Sequence, residues 1–102
     1  KANIIVSSFD IGFLHYFRMF APHIPRASIH EFFPKDIYFL KTELAIEAVH
    51  LDSDLIAASM DVTVFHQQGI KIRAWTVNDP SRAIDLFDLG VDMVMSDYPE
   101  RI

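Results

Sequence analysis

The 102-residue sequence predicts an α/β fold in which short parallel strands alternate with helices. Three observations carry that prediction. At Gly69 and again at Gly90, a glycine able to close a helix is followed at once by a strand-like run that ends in polar residues. Between the two runs, Asp79 can cap a new helix and Pro80 suits its first turn, so the order is helix, strand, helix, strand. Within the first run, Ile70, Ile72, Ala74 and Thr76 share one face, and Lys71, Arg73, Trp75 and Val77 the other. The aliphatic face is expected under helices. The mixed face then points towards an interior or a cleft, with Trp75 at the carboxyl end of its strand, where α/β proteins bind ligands.

In chain order, residues 3–8 form an aliphatic run too short for a stable helix and suited to a strand covered on both faces. Asp10 stands at a capping position before a helix over residues 11–20. Ile11, Leu14 and Phe17 face inward there, and Phe13, Tyr16, Met19 and Phe20 widen the apolar stripe. A stripe this broad expects contacts on more than one side, and Pro22 and Pro25 end the helix. Residues 27–33 alternate like a strand until Pro34 stops it.

Residues 41–49 read as a helix with Leu44, Ala45 and Ala48 inward, followed by an extended connector or short strand over 50–56. A helix over 59–68 is expected to bury Met60, Val64 and Phe65 before Gly69 closes it. Another over 81–89 is expected to bury Ile84, Leu86 and Phe87 before Gly90. There is no exact repeat, low-complexity tract or linker, so residues 1–102 are read as one structural unit.

With 51% hydrophobic and 13% aromatic residues, the chain carries core-forming material rather than the composition of a disordered segment. A net charge of −5 without a block of like charge argues against a nucleic-acid groove and against attraction to anionic membranes. The absence of cysteine excludes disulfides and thiolate zinc sites. No apolar run reaches the roughly 18 residues of a membrane span, and no signal peptide is visible.

Three constellations could carry chemistry. In an extended segment His50, Asp52 and Asp54 share a face, which suits a metal; the plainer reading is a connector in which Asp52 or Asp54 caps the next helix. His15, His23, His30 and His66 follow no ligand spacing, and nothing in the sequence brings two together as acid and base. Trp75 is either a core aromatic or, beside polar Asn78, an apolar wall of a pocket. Asp97 is expected to hold the last loop by accepting backbone hydrogen bonds.

The words AWTVNDPSRAIDLFDLGVDMVMSDYPE resemble the closing segment of the glycerophosphodiester phosphodiesterases, whose pattern is a Trp-Thr-Val-Asn strand, a helix, then Gly-Val-Asp and Thr-Asp-x-Pro. Here the last word is Ser96-Asp97-Tyr98-Pro99, with Ser in place of Thr. Residues 4–10 resemble the family's Ser-Ser-Phe strand, and Phe65-His66-Gln67-Gln68-Gly69 its helix end before the Trp strand; residues 25–58 match least.

The resemblance implies the carboxyl-terminal half of a (β/α)8 TIM barrel, about four βα units with parallel strands. A whole barrel needs roughly 200 to 250 residues. It further implies a hydrolase that cleaves glycerophosphodiesters, such as deacylated phospholipids, to glycerol 3-phosphate and an alcohol. Phe9 and Trp75 then stand beside the substrate. The family's catalytic words, His-Arg-Gly, Glu-x-Asp, a second His and a fourth-strand Glu, do not occur here. The divalent cation, calcium or magnesium, is therefore expected in a full-length parent and not on this chain alone. Because the sequence opens on Lys1, a processed, truncated or expressed fragment is expected, one that associates with its missing amino-terminal half or with a second copy. The alternative is a non-catalytic half-barrel module that self-associates.

Overall fold

The computed structural model describes residues 4–97. Its elements follow one another as β1 (Val6–Ser8), α1 (Ile11–Phe20), β2 (Arg26–His30), α2 (Ile37–Thr42), β3 (Ala48–Asp52), a 3₁₀ turn (Ser53–Leu55), α3 (Ser59–His66), β4 (Lys71–Trp75), α4 (Pro80–Asp88) and β5 (Met93–Val94). The caps behave as their residue types require. Asp10, Asp36 and Asp79 accept the backbone N–H groups of Phe13, Phe39 and Ser81 at 3.0, 2.9 and 3.0 Å. Gly69 and Gly90 take positive φ, 73° and 106°, which a side chain would resist.

The five strands stand in the sheet in sequence order, and every neighbouring pair is parallel. Right-handed crossovers in an order that never reverses bring every helix to the same side, which leaves the other face of the sheet open. Register then sorts the side chains. On the covered face Val49, Leu51, Ile72 and Ala74 meet Leu14 of α1, Leu40 of α2, Val62 and Phe65 of α3, and Ala83 and Leu86 of α4 in one core. On the open face Ile29, His50, Arg73 and Met93 stand abreast across four strands.

Several sequence expectations are corrected. Residues 41–49 are not a helix: α2 ends at Thr42, Ala45 turns the chain with φ 49°, and Ala48 opens β3. Leu44 and Ala48 are buried as expected, but at strand-like spacing with Ile46. The deciding groups are remote. Arg26 Nε donates to the Leu44 carbonyl at 3.1 Å, and Glu47 N donates to the Arg26 carbonyl at 2.8 Å, so β2 claims this backbone. The strand expected over 27–33 ends at His30, and the connector over 50–56 divides into the end of β3 and the 3₁₀ turn.

Helix phase is also corrected. Met60, Ile84 and Phe87 are exposed, and Val62 and Ala83 are buried with Phe65 and Leu86. Helices this short bury one narrow stripe, and its phase is set by the strands beneath it rather than by the apolar residues alone. After Trp75 the alternation stops: Thr76 is exposed and Val77 joins the core. The expected start at residue 3 and the Tyr98-Pro99 end of the last run lie outside the described residues.

A candidate substrate pocket on the open face

At the carboxyl ends of the strands, on the open face, a hollow of about 440 Å³ is lined by Ser7, Phe9, Ile29, His50, Trp75, Thr76 and Met95. β1 and the start of α1 bring Phe9 to one wall, and the last residue of β4 brings Trp75 to it. Their rings meet edge to face, with centroids 6.4 Å apart and planes at 84°. Phe9 and Trp75, far apart in sequence, thus form one apolar corner. Trp75 is held from below: its indole Nε1–H donates to the His50 carbonyl at 3.0 Å.

Beneath the hollow the open face is polar. Arg73 is buried, and its Nη1 donates to His50 Nε2 at 3.2 Å. A guanidinium can only donate, so that nitrogen of His50 accepts and the ring proton sits on Nδ1. Burial first, then the positive charge of Arg73, lowers the His50 pKa to about 4, against a raising influence from Glu47. The ring is neutral at physiological pH. Glu47 Oε2 lies 3.8 Å from Arg73 Nη2 and 3.6 Å from Lys71 Nζ. Its Oε1 is shielded and has no hydrogen-bond partner among the described residues.

The alternative reading of His50, Asp52 and Asp54 as a metal set is not met. Asp52 Oδ1 accepts Asp54 N at 3.0 Å and caps the 3₁₀ turn, which is the plainer of the two sequence readings. Among the described residues no three His, Asp or Glu side chains stand together as a metal site. His30 lies on the strand beside His50 and adds a small lowering influence to its pKa, and the other histidines are dispersed. His30 bonds Ser28 Oγ at 2.7 Å and stands in register with Leu51, on the face opposite His50. His66 meets Asp92 at 2.8 Å at the other end of the sheet, and His15 and His23 are exposed.

Asp97 and Ser96 are tied to the loop after β4. The acceptor is Asn78, whose Oδ1 takes Asp97 N at 2.9 Å and Ser96 Oγ at 2.8 Å. Ile29, His50 and Met95 were not legible as pocket residues. Arg73 carried one usable signal, since an i, i+2 step places it on the face of Trp75, whereas its pairing with His50 is a matter of register.

The sequence model of the glycerophosphoryl diester phosphodiesterase family matches residues 1–101. A glycerophosphodiester phosphodiesterase of Bacillus altitudinis is 31% identical over 105 residues, covering 97% of this chain and 41% of the relative. Among solved structures, an Oleispira antarctica phosphodiesterase in complex with the product sn-glycerol-3-phosphate superposes with a TM-score of 0.89 at 28% identity, covering 96% of this chain and 39% of that one. A glycerophosphodiester phosphodiesterase from Parabacteroides distasonis shares the fold, with a TM-score of 0.78 at 24% identity over 92% of this chain and 39% of that one. This chain spans about 40% of the length of the relatives it matches, which are TIM barrels, and its five parallel strands are a segment of such a barrel. The chain belongs to the glycerophosphoryl diester phosphodiesterase family.

Proposed function

We propose that this chain is the carboxyl-terminal part of a metal-dependent glycerophosphodiester phosphodiesterase that hydrolyses glycerophosphodiesters to glycerol 3-phosphate and an alcohol. Its share is the substrate-pocket wall rather than the catalytic groups. The observation that carries this reading is the Phe9–Trp75 corner, 6.4 Å between centroids, over a hollow at the carboxyl ends of parallel strands. Two aromatic faces meeting at that angle offer an apolar surface to the carbons of a glycerol moiety and exclude water from one side of it.

Neutral His50 and buried Arg73 give that wall a polar floor. Arg73 is held by His50 and lies near Glu47, so its charge is partly compensated and is not free to clamp a phosphate. A divalent cation, calcium or magnesium, would neutralise phosphate oxygens in the parent. The described residues of this chain do not make a site for it, and its ligands belong to the part of the parent outside this chain. The acid and base histidines belong there too. The partners are a small-molecule substrate and the remaining half of the barrel.

The test is hydrolysis of glycerophosphocholine by the purified 102-residue chain with calcium or magnesium, beside a chelator control. No turnover is expected from this chain alone, and adding the amino-terminal half is expected to restore it. Chelator-sensitive turnover by this chain alone would sink the proposed division of labour.

A further inference from the structure

α1 carries more exposed aromatic surface than its own core contacts explain. Only Leu14 is fully buried, while Phe13, Tyr16 and Phe20 are 44%, 64% and 77% exposed. These rings are ordered against each other: Phe13 stacks on Phe17 at 5.8 Å and Tyr16 on Phe20 at 6.0 Å. At about 100° per residue, Arg18 and Ile11 lie about 40° and about 60° to one side of Leu14. By the same rule Phe17, Phe13, Phe20 and Tyr16 lie about 60°, about 100°, about 120° and about 160° to the other.

Two contacts identify the first side as the one facing the rest of the chain. Ile11 packs on the core, and Arg18 Nη1 donates to the carbonyls of Thr42 and Glu43 at the end of α2, at 3.1 and 2.8 Å. The aromatic flank therefore looks away from α2. β1 pairs with β2 alone among the described strands, so its outer edge lies on that same side. A further parallel strand on that edge must, by the right-handed crossover rule, bring its helix against this flank of α1.

We infer that the flank formed by Phe13, Tyr16, Phe17 and Phe20 is the seat of the helix that precedes β1 in the longer parent. The inference rests on the reading of this chain as part of a longer barrel. The relatives it matches extend well beyond it, since it covers 41% and 39% of two of them. A net charge of −5 disfavours an anionic lipid surface as the occupant. A second copy that closed the sheet at the β1 edge would have to do so with its own last strand, β5, which among the described residues holds only Met93–Val94.

The experiment compares Phe20→Ser with Tyr16→Ser, singly and combined, in the parent. Met19→Ser, at a residue 73% exposed and about 140° from Leu14 on the Arg18 side, is the control. The combined variant is expected to lower the parent's melting temperature by about 5 °C or more, while the control stays within about 1 °C. If the combined variant is too unstable to melt, Phe20→Leu serves instead and is expected to lower it by less. An unchanged melting temperature in the parent overturns the inference. So does a dimer of the 102-residue chain that Phe20→Ser dissolves without affecting the parent, or vesicle binding lost in the same way. Glycerophosphocholine hydrolysis is assayed in the same parent variants below their melting range. A parent that melts as expected yet hydrolyses nothing keeps this inference and removes the functional reading.

Discussion

Trp75 is fixed to the neighbouring strand by one bond, its indole N–H to the carbonyl of His50 at 3.0 Å. The pocket wall is therefore positioned by β3 as well as by β4. Trp75→Phe keeps an aromatic face and loses this donor, and is expected to destabilise by about 1 kcal/mol. Trp75→Ala removes the wall. In the parent, it is expected to lower kcat/KM for glycerophosphocholine at least tenfold, with Trp75→Phe falling between it and the wild type. Trp75 is the single tryptophan of the 102-residue chain, so in that chain quenching of its fluorescence by sn-glycerol 3-phosphate reads occupancy of the hollow directly.

The neutral His50 makes stability depend on pH in one direction. Its pKa is lowered from 6.5 to about 4 by burial and by Arg73, so between those values the unfolded chain binds a proton that the folded chain does not. The contribution is whole above about pH 6.5 and is lost as pH falls towards about 4. His30, lowered by burial, acts in the same direction. Because the His50 ring is partly exposed, the loss is expected to be on the order of 1 kcal/mol rather than the full linkage value. Urea melts at pH 7 and pH 4.5 check it. In His50→Gln the difference between the two should shrink.

Asn78 clips the last loop by accepting from Ser96 Oγ and Asp97 N through one oxygen. Asn78→Ala is expected to cost about 1 to 2 kcal/mol in denaturant midpoints, and Asn78→Asp, which keeps an acceptor, less than half of that. Equal losses in the two variants would show that the donor side of the amide matters instead.

Gly90 and Gly69 close α4 and α3, yet they should not respond alike. A Cβ on Gly90 would meet Val62 Cγ1 at 3.3 Å, at φ 106°, whereas Gly69 sits at φ 73° with Lys41 Nζ 3.4 Å away at the end of a flexible side chain. Gly90→Ala is expected to cost about 2 kcal/mol or more and Gly69→Ala about 1 kcal/mol, with Gly69→Asn milder still because asparagine tolerates the left-handed region. Thermal melts of the three variants check the order.

Local chemistry made much of the fold legible. Asp10 and Asp79 announce helix starts because a carboxylate satisfies free N–H groups at close range, and Gly69 and Gly90 announce helix ends because their φ is positive. The words around Phe9 and Trp75 marked the family and both aromatic residues of the pocket corner. The error over residues 41–49 has an equally local cause: Leu44 and Ala48 are four apart and fit a helix, while Leu44, Ile46 and Ala48 are two apart and fit a strand.

The sequence by itself determined the α/β alternation, the caps and glycine turns, the family, and the lack within it of the family's catalytic words. Only the tertiary structure decided that Arg26 and β2 claim the backbone of residues 44–47, and that His50 lies under Trp75 with its ring held by Arg73. It also decided that the aromatic rings of α1 face away from α2. The physical reason is range. A cap or a positive φ is settled within a few residues, whereas register, helix phase and a histidine's charge are set by hydrogen bonds and burial from strands far away in the chain.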